Sequence, residues 1–181
     1  MAEQTHIITY NEFLALARPT SIHLDEDEVM VYVEEAEQLN IIPAITYRWF
    51  YDVLDYINNS IDHADENLNT LIDGGAWQGT DDGCGCECDD DLHYCKGLKS
   101  AVAYFAYAKM TKADGAIMAR AGAVRHDDQY YRHEDDKIRQ YDDVMDVAEA
   151  YLASCLSFIK SKYCNVKKMR GTRCVIHAIG N

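Results

Sequence analysis

Between residues 134 and 162 apolar side chains return at Ile138, Tyr141, Met145, Ala148, Tyr151, Leu152, Cys155 and Ile159. Steps of three and four sustained over that distance mark one face of an α-helix. At ~1.5 Å per residue the helix would be roughly 40 Å long, with that stripe as its buried side. Only two prolines occur in 181 residues, so little interrupts helical periodicity elsewhere. The expectation is an all-α chain: a small helical bundle closed by a long C-terminal helix.

The upstream segments fit that frame. "DEDEVMVYVEEAEQL" carries Val29, Tyr32, Val33, Ala36 and Leu39 at helical spacing, and its acidic start suits the positive end of a helix dipole. A break is expected at "NIIP", with Pro43 in the first turn of a second helix. That helix would show Ile45, Trp49, Phe50, Val53, Leu54 and Ile57 on one side. "NLNTLIDGG" reads as a short helical turn stopped by Gly74 and Gly75. "GLKSAVAYFAYAKMT" resumes a helix through Leu98, Ala101, Val102, Phe105 and Ala108, with small residues that permit close packing. Residues 114–133 are irregular, with an apolar and extended "GAIMARAGAV". The C-terminal end adds a short β-prone piece, "CVIHAI".

Charge divides the chain sharply. The net charge is −14, and all 31 acidic residues lie up to Glu149 against 11 basic ones. Beyond Glu149 stand Lys160, Lys162, Lys167, Lys168, Arg170 and Arg173 with no acidic residue among them. An acidic body repels nucleic acid over most of its surface, whereas the basic arm suits a phosphate backbone or an acidic protein surface. No apolar run reaches eighteen residues, so no membrane span is expected. The start lacks a basic region followed by an apolar one, so no secretory signal is expected and the cysteines should begin reduced.

Four of the seven cysteines fall in "GTDDGCGCECDDDLHYC", residues 79–95, which has no apolar period and reads as an inserted loop. Cys84, Cys86, Cys88 and Cys95, with His93 beside them, are soft ligands of the kind zinc takes. The C-x-C-x-C spacing departs from the C-x2–4-C knuckle of structural zinc sites, and only one cysteine-rich half is visible. An exposed acidic loop and a disulfide formed outside the cytosol are the competing readings. A di-metal centre would need Glu-x-x-His motifs on core-facing helices. Glu3 with His6 and Asp90 with His93 come nearest, and neither pair lies on such a helix.

His126 and His133 stand among acids in "RHDDQYYRHEDD" without a nucleophile nearby. No phosphate-binding glycine loop, nucleophile elbow or HExxH is present. Cys155 falls on the apolar stripe and reads as a small core residue. The 13 tyrosines sit among acids, which suits packing and protein contact better than base stacking in a basic groove. The chain therefore reads as a non-enzyme with no catalytic residues and no cofactor, zinc at the cysteine cluster being the alternative.

One ordered series of segments narrows this further. "VEEAEQLNIIPAITYRWFYDVL", "LNTLIDGGAWQG", "YCKGLKSAVAYFAYAKM" and "GAVRHDDQ" precede the long final helix. The series resembles the head–tail connector (adaptor) proteins of tailed phages, most of all those of phages infecting Bacteroides-type bacteria, the crAss-like group included. The resemblance covers residues 5 to 160. Its shared pattern is an E-A-x-x-L close, a proline step into an aromatic helix, a glycine-pair stop and GLK-x-A-x-A-Y-x-x-Y-A. The cysteine-rich insertion and the tail beyond Lys160 depart from it.

The resemblance implies a structural virion protein made in the bacterial host cytoplasm and built into the neck. It implies a homo-oligomeric ring, expected to be dodecameric, between the portal protein and downstream neck or tail proteins. DNA would pass through the channel without specific binding. The expected organisation is a helical connector domain over 1–163, with 79–95 inserted, and a basic arm over 164–181. Lys167, Lys168, Arg170 and Arg173 are the candidate interface residues of that arm. A small zinc-binding protein folded on the cysteine cluster and an acidic protein mimicking DNA are the alternative functions.

Overall fold

The computed structural model describes residues 4–18, 24–59, 65–78, 92–113, 117–119, 122–124 and 134–164. They are mainly helical, as the periodicity requires. The helices are α1 (Tyr10–Leu16), α2 (Glu26–Ala36), α3 (Ile42–Ile45), α4 (Tyr47–Asn59), α5 (Glu66–Asp73), α6 (Leu98–Ala113) and α7 (Glu134–Ile159). Two small antiparallel ribbons accompany them: β1 (Gly75–Gln78) with β2 (Leu92–Cys95), and β3 (Ile117–Ala119) with β4 (Gly122–Val124).

The centre of the bundle is α6. Leu98, Ala101, Val102, Phe105, Ala106 and Ala108 are all buried, and burial runs nearly all round the helix. A helix buried on every side must be covered by several neighbours. Here α7 lies along one side and α2 along another, while α1 and α5 cover the rest. The alanines let α2 and α7 approach closely, and the stripe of α7 supplies Val144, Ala148, Leu152, Cys155 and Phe158 to the same core. Ile138 lies outside the described side chains.

Local chemistry fixes the ends of the elements. Thr9 and Glu12 form a reciprocal capping box on α1, Asp25 caps α2, and Asp65 caps α5 by accepting from the amides of Asn67 and Leu68. Each cap satisfies amides that the first helical turn leaves open. Between α5 and α6 the chain turns through Gly74 and Gly97, both at positive φ. Lys99 then bridges Glu12 of α1 at 2.8 Å and Asp73 of α5 at 2.9 Å, tying three helices at one end. Burial works against the Lys99 charge, but Asp73 and Glu12 outweigh it and raise its pKa.

The structure corrects several sequence expectations. The chain does not break at "NIIP": α2 runs through a π-helical turn, Glu37–Ile41, directly into α3. The break falls at Thr46, which takes φ 76 and ψ 151 between α3 and α4. The wider π turn also changes the phase of the buried face. Glu37 and Ile41 turn inward, and Leu39, expected on the apolar side, is 64% exposed. The inserted segment 79–95 is not loop throughout, because its last four described residues, Leu92–Cys95, pair with Gly75–Gln78. Gly75 accordingly starts a strand, while Gly74 alone caps α5. Within "GAIMARAGAV", Ile117–Ala119 and Gly122–Val124 are extended, as expected, and pair as a ribbon.

Candidate functional site

The β1–β2 ribbon and its seat on α7 gather most of the chemistry that can be described. Register pairs Gly75 with Cys95, Ala76 with Tyr94, Trp77 with His93 and Gln78 with Leu92. Side chains alternate between faces along a strand, so Trp77, His93 and Cys95 share one face. Trp77 and Cys95 are buried there, whereas Ala76, Gln78, Leu92 and Tyr94 look outward.

The inner face is a stack of rings against the last helix. Trp77 stacks on His93 with centroids 4.7 Å apart and meets Phe158 edge-on at 5.4 Å. Lys162, from the π-helical turn Lys160–Cys164 that ends α7, lies 5.8 Å above the Trp77 ring. Its ammonium donates to the Gln78 carbonyl at 3.0 Å. Two residues further along β2, Cys95 faces Cys155 of α7 with 3.6 Å between sulfurs. The ribbon is thus docked on α7 by rings at one end and sulfurs at the other.

The outer surfaces carry large apolar groups. Leu92 is 70% exposed and Tyr94 62%, on the outward face of the ribbon. On α4, Tyr47 and Tyr51 are 68% and 61% exposed and stand one turn apart, with Arg48, Asp52 and Asp55 also on the solvent side. Aromatic side chains displayed amid charges are the composition that protein interfaces favour.

A second buried polar arrangement ties the N-terminal segment to the π-helical turn after α2. Glu37 is almost fully buried, and its carboxylate accepts from the Ile7 amide at 2.6 Å and faces His6 Nδ1 at 2.8 Å. The hydrogen bond to Glu37 raises the His6 pKa against the opposing effect of burial, and Glu34 adds to the rise.

His93 stacks on Trp77, and of the four predicted cysteine ligands only Cys95 lies among the described residues. It turns into the core toward Cys155, which packs on the apolar stripe as expected. Cys84, Cys86 and Cys88 lie outside the described residues, as do Glu3, Asp90, His126 and His133. So do the arm residues Lys167, Lys168, Arg170 and Arg173. Among the described residues no three His, Cys, Asp or Glu side chains converge as a metal site, and no helix is long and apolar enough to cross a membrane. The Cys95–Cys155 contact escaped the sequence because 60 residues separate the two. The only available signals were the small residue on the stripe of α7 and the β-prone "LHYC". No protein-family model, curated protein or solved structure matches the chain.

Proposed function

We propose that this protein is a structural subunit of the neck of a tailed-phage virion. Its copies close into a ring between portal and tail, extend the DNA channel and dock the next neck or tail component. The observation that carries the reading is the pairing of a helical body with exposed aromatic and aliphatic groups on different elements, Tyr47 and Tyr51 on α4 and Leu92 and Tyr94 on β2. A closed ring needs two complementary patches on every subunit, and these elements supply two candidates. The ordered segments over residues 5–160 favour the neck ring over other assemblies.

The acidic composition fits the same role. Acidic groups lining a channel disfavour contact with phosphates and leave DNA free to move. The basic residues beyond Glu149 suit the acidic body of a neighbouring copy or the portal. The test is to purify the protein alone and with the portal of its own genome, then record sedimentation and negative-stain electron micrographs. Rings that seat on the portal are the expected result. A species that stays monomeric and leaves the portal bare overturns the reading.

A further inference from the structure

The contact between Cys95 and Cys155 is held in place by its neighbours. The Lys96 amide donates to Ser154 Oγ at 3.3 Å, and the Ser154 hydroxyl donates to the Tyr151 carbonyl at 2.7 Å. The residue after one cysteine is therefore bonded to the residue before the other. Lys96 also sets its ammonium 5.8 Å from the Tyr151 ring on the same stretch of α7. Both cysteines are fully buried, so the sulfurs face each other without competition from water. Closing 3.6 Å to a disulfide bond of ~2.05 Å requires about 1.5 Å of approach. Side-chain torsions and a short edge ribbon can absorb that.

We propose that Cys95 and Cys155 form a dithiol–disulfide pair, closed by small-molecule disulfides, that staples the β1–β2 ribbon to α7. In the first step the Cys95 thiolate attacks one sulfur of a disulfide such as oxidised glutathione, and one small thiolate leaves. Cys155 then gives up its proton and attacks the Cys95 sulfur. The Cys95–Cys155 bond forms as the second small thiolate departs. The protein loses two protons and two electrons, and the small disulfide is reduced to two thiols. Cys95 acts first because the facing Cys155 thiol holds its pKa below the ordinary thiol range, while the contact with Cys95 and burial push Cys155 up.

Access comes through the ribbon. The four residues of β2 pair only with β1, and Leu92, His93 and Tyr94 are exposed. A two-stranded ribbon of that length is marginal and opens locally far more readily than the helical core. A pair that is reduced in a cytosol would close in an oxidising medium. This holds whether or not the protein forms a ring.

The test equilibrates wild-type protein with oxidised and reduced glutathione at stepped ratios and then alkylates it under denaturing conditions. Cleavage before aspartate and after lysine or arginine releases residues 91–96 and 146–160, each with a single cysteine. The expected result is those two peptides joined after oxidation and separate after reduction. Oxidation should also raise Tm by about 10 °C in wild type, given the length of chain enclosed, and not in Cys155→Ser. Both peptides alkylated at every ratio would overturn the proposal. So would Cys95 stopping as a glutathione adduct or joining a cysteine other than Cys155. Should Cys155→Ser fail to fold, the wild-type peptides decide alone.

Discussion

Gly97 lies so close to the end of α5 that a Cβ added to it would stand 2.6 Å from the backbone nitrogen of Gly74 and 2.7 Å from the Ile72 carbonyl oxygen. The approach is reciprocal, since a Cβ on Gly74 would meet the Lys96 carbonyl oxygen at 2.7 Å. All of these neighbours are backbone, which cannot swing aside. Both glycines also hold positive φ, Gly97 at 90° and Gly74 at 94°. Gly97→Ala therefore meets strain and overlap together, at the joint that aims α6 into the core. The expected loss is about 3 kcal/mol of unfolding free energy. Urea unfolding monitored by circular dichroism checks it, and a loss below ~1 kcal/mol would contradict the packing described.

The His6–Glu37 contact makes stability depend on pH in a defined direction. The His6 pKa is raised in the folded state above its ordinary 6.5, chiefly by the hydrogen bond to Glu37. A group with a raised folded pKa contributes its full stabilisation below the unfolded value and loses it as pH rises through the folded value. Wild type should therefore lose stability relative to His6→Gln as pH rises from the ordinary histidine value of 6.5 into the alkaline range. Paired urea titrations across that window measure the difference. A difference that does not change with pH would mean that His6 is not the titrating partner.

Thr46 holds a backbone conformation that glycine adopts far more readily than a β-branched residue. Its φ of 76 and ψ of 151 separate α3 from α4 while its amide still donates to the Ile42 carbonyl at 2.8 Å. Such a conformation costs a non-glycine residue about 1–3 kcal/mol. Thr46→Gly removes that strain but adds freedom to the unfolded chain, which offsets part of the gain. A net stabilisation of about 1 kcal/mol is expected, read as a higher urea midpoint with an unchanged slope. A lower midpoint would show that the threonine side chain contributes more than its backbone strain costs.

The helices that were legible in the sequence are those with long stripes. The Leu98 to Ala108 series and the Tyr141 to Ile159 series each repeat often enough to name their helix and its buried side. By contrast α1 was missed, because seven residues with Phe13 as their single buried side chain give no period. Its signal was the Thr9–Glu12 capping box, which is local chemistry and not periodicity. No residue type announces a π-helical turn, so the inward turn of Glu37 and the outward turn of Leu39 could not be read. Cys95 shows the same limit at the candidate site. Spacing groups it with Cys84, Cys86 and Cys88, whereas strand register sends it toward Cys155. Contacts across 31 or 60 residues, such as His6–Glu37 and Cys95–Cys155, exist only once the helices are packed.

The exposed tyrosines of α4 test the ring reading without disturbing the fold. Tyr47 and Tyr51 are more than half exposed and contribute little to the core, so Tyr47→Glu with Tyr51→Glu should change unfolding free energy by less than about 1 kcal/mol. Two new carboxylates beside Asp52 and Asp55 would make this face strongly acidic. At an interface they would be desolvated without partners, and such charges are costly to bury. The double variant is expected to unfold like wild type yet sediment as a monomer and leave the portal bare. Leu92→Asp with Tyr94→Asp applies the same test to the outward face of the β1–β2 ribbon. Two folded variants that both still form rings on the portal would exclude these surfaces as subunit contacts and leave the ring to be explained by other elements.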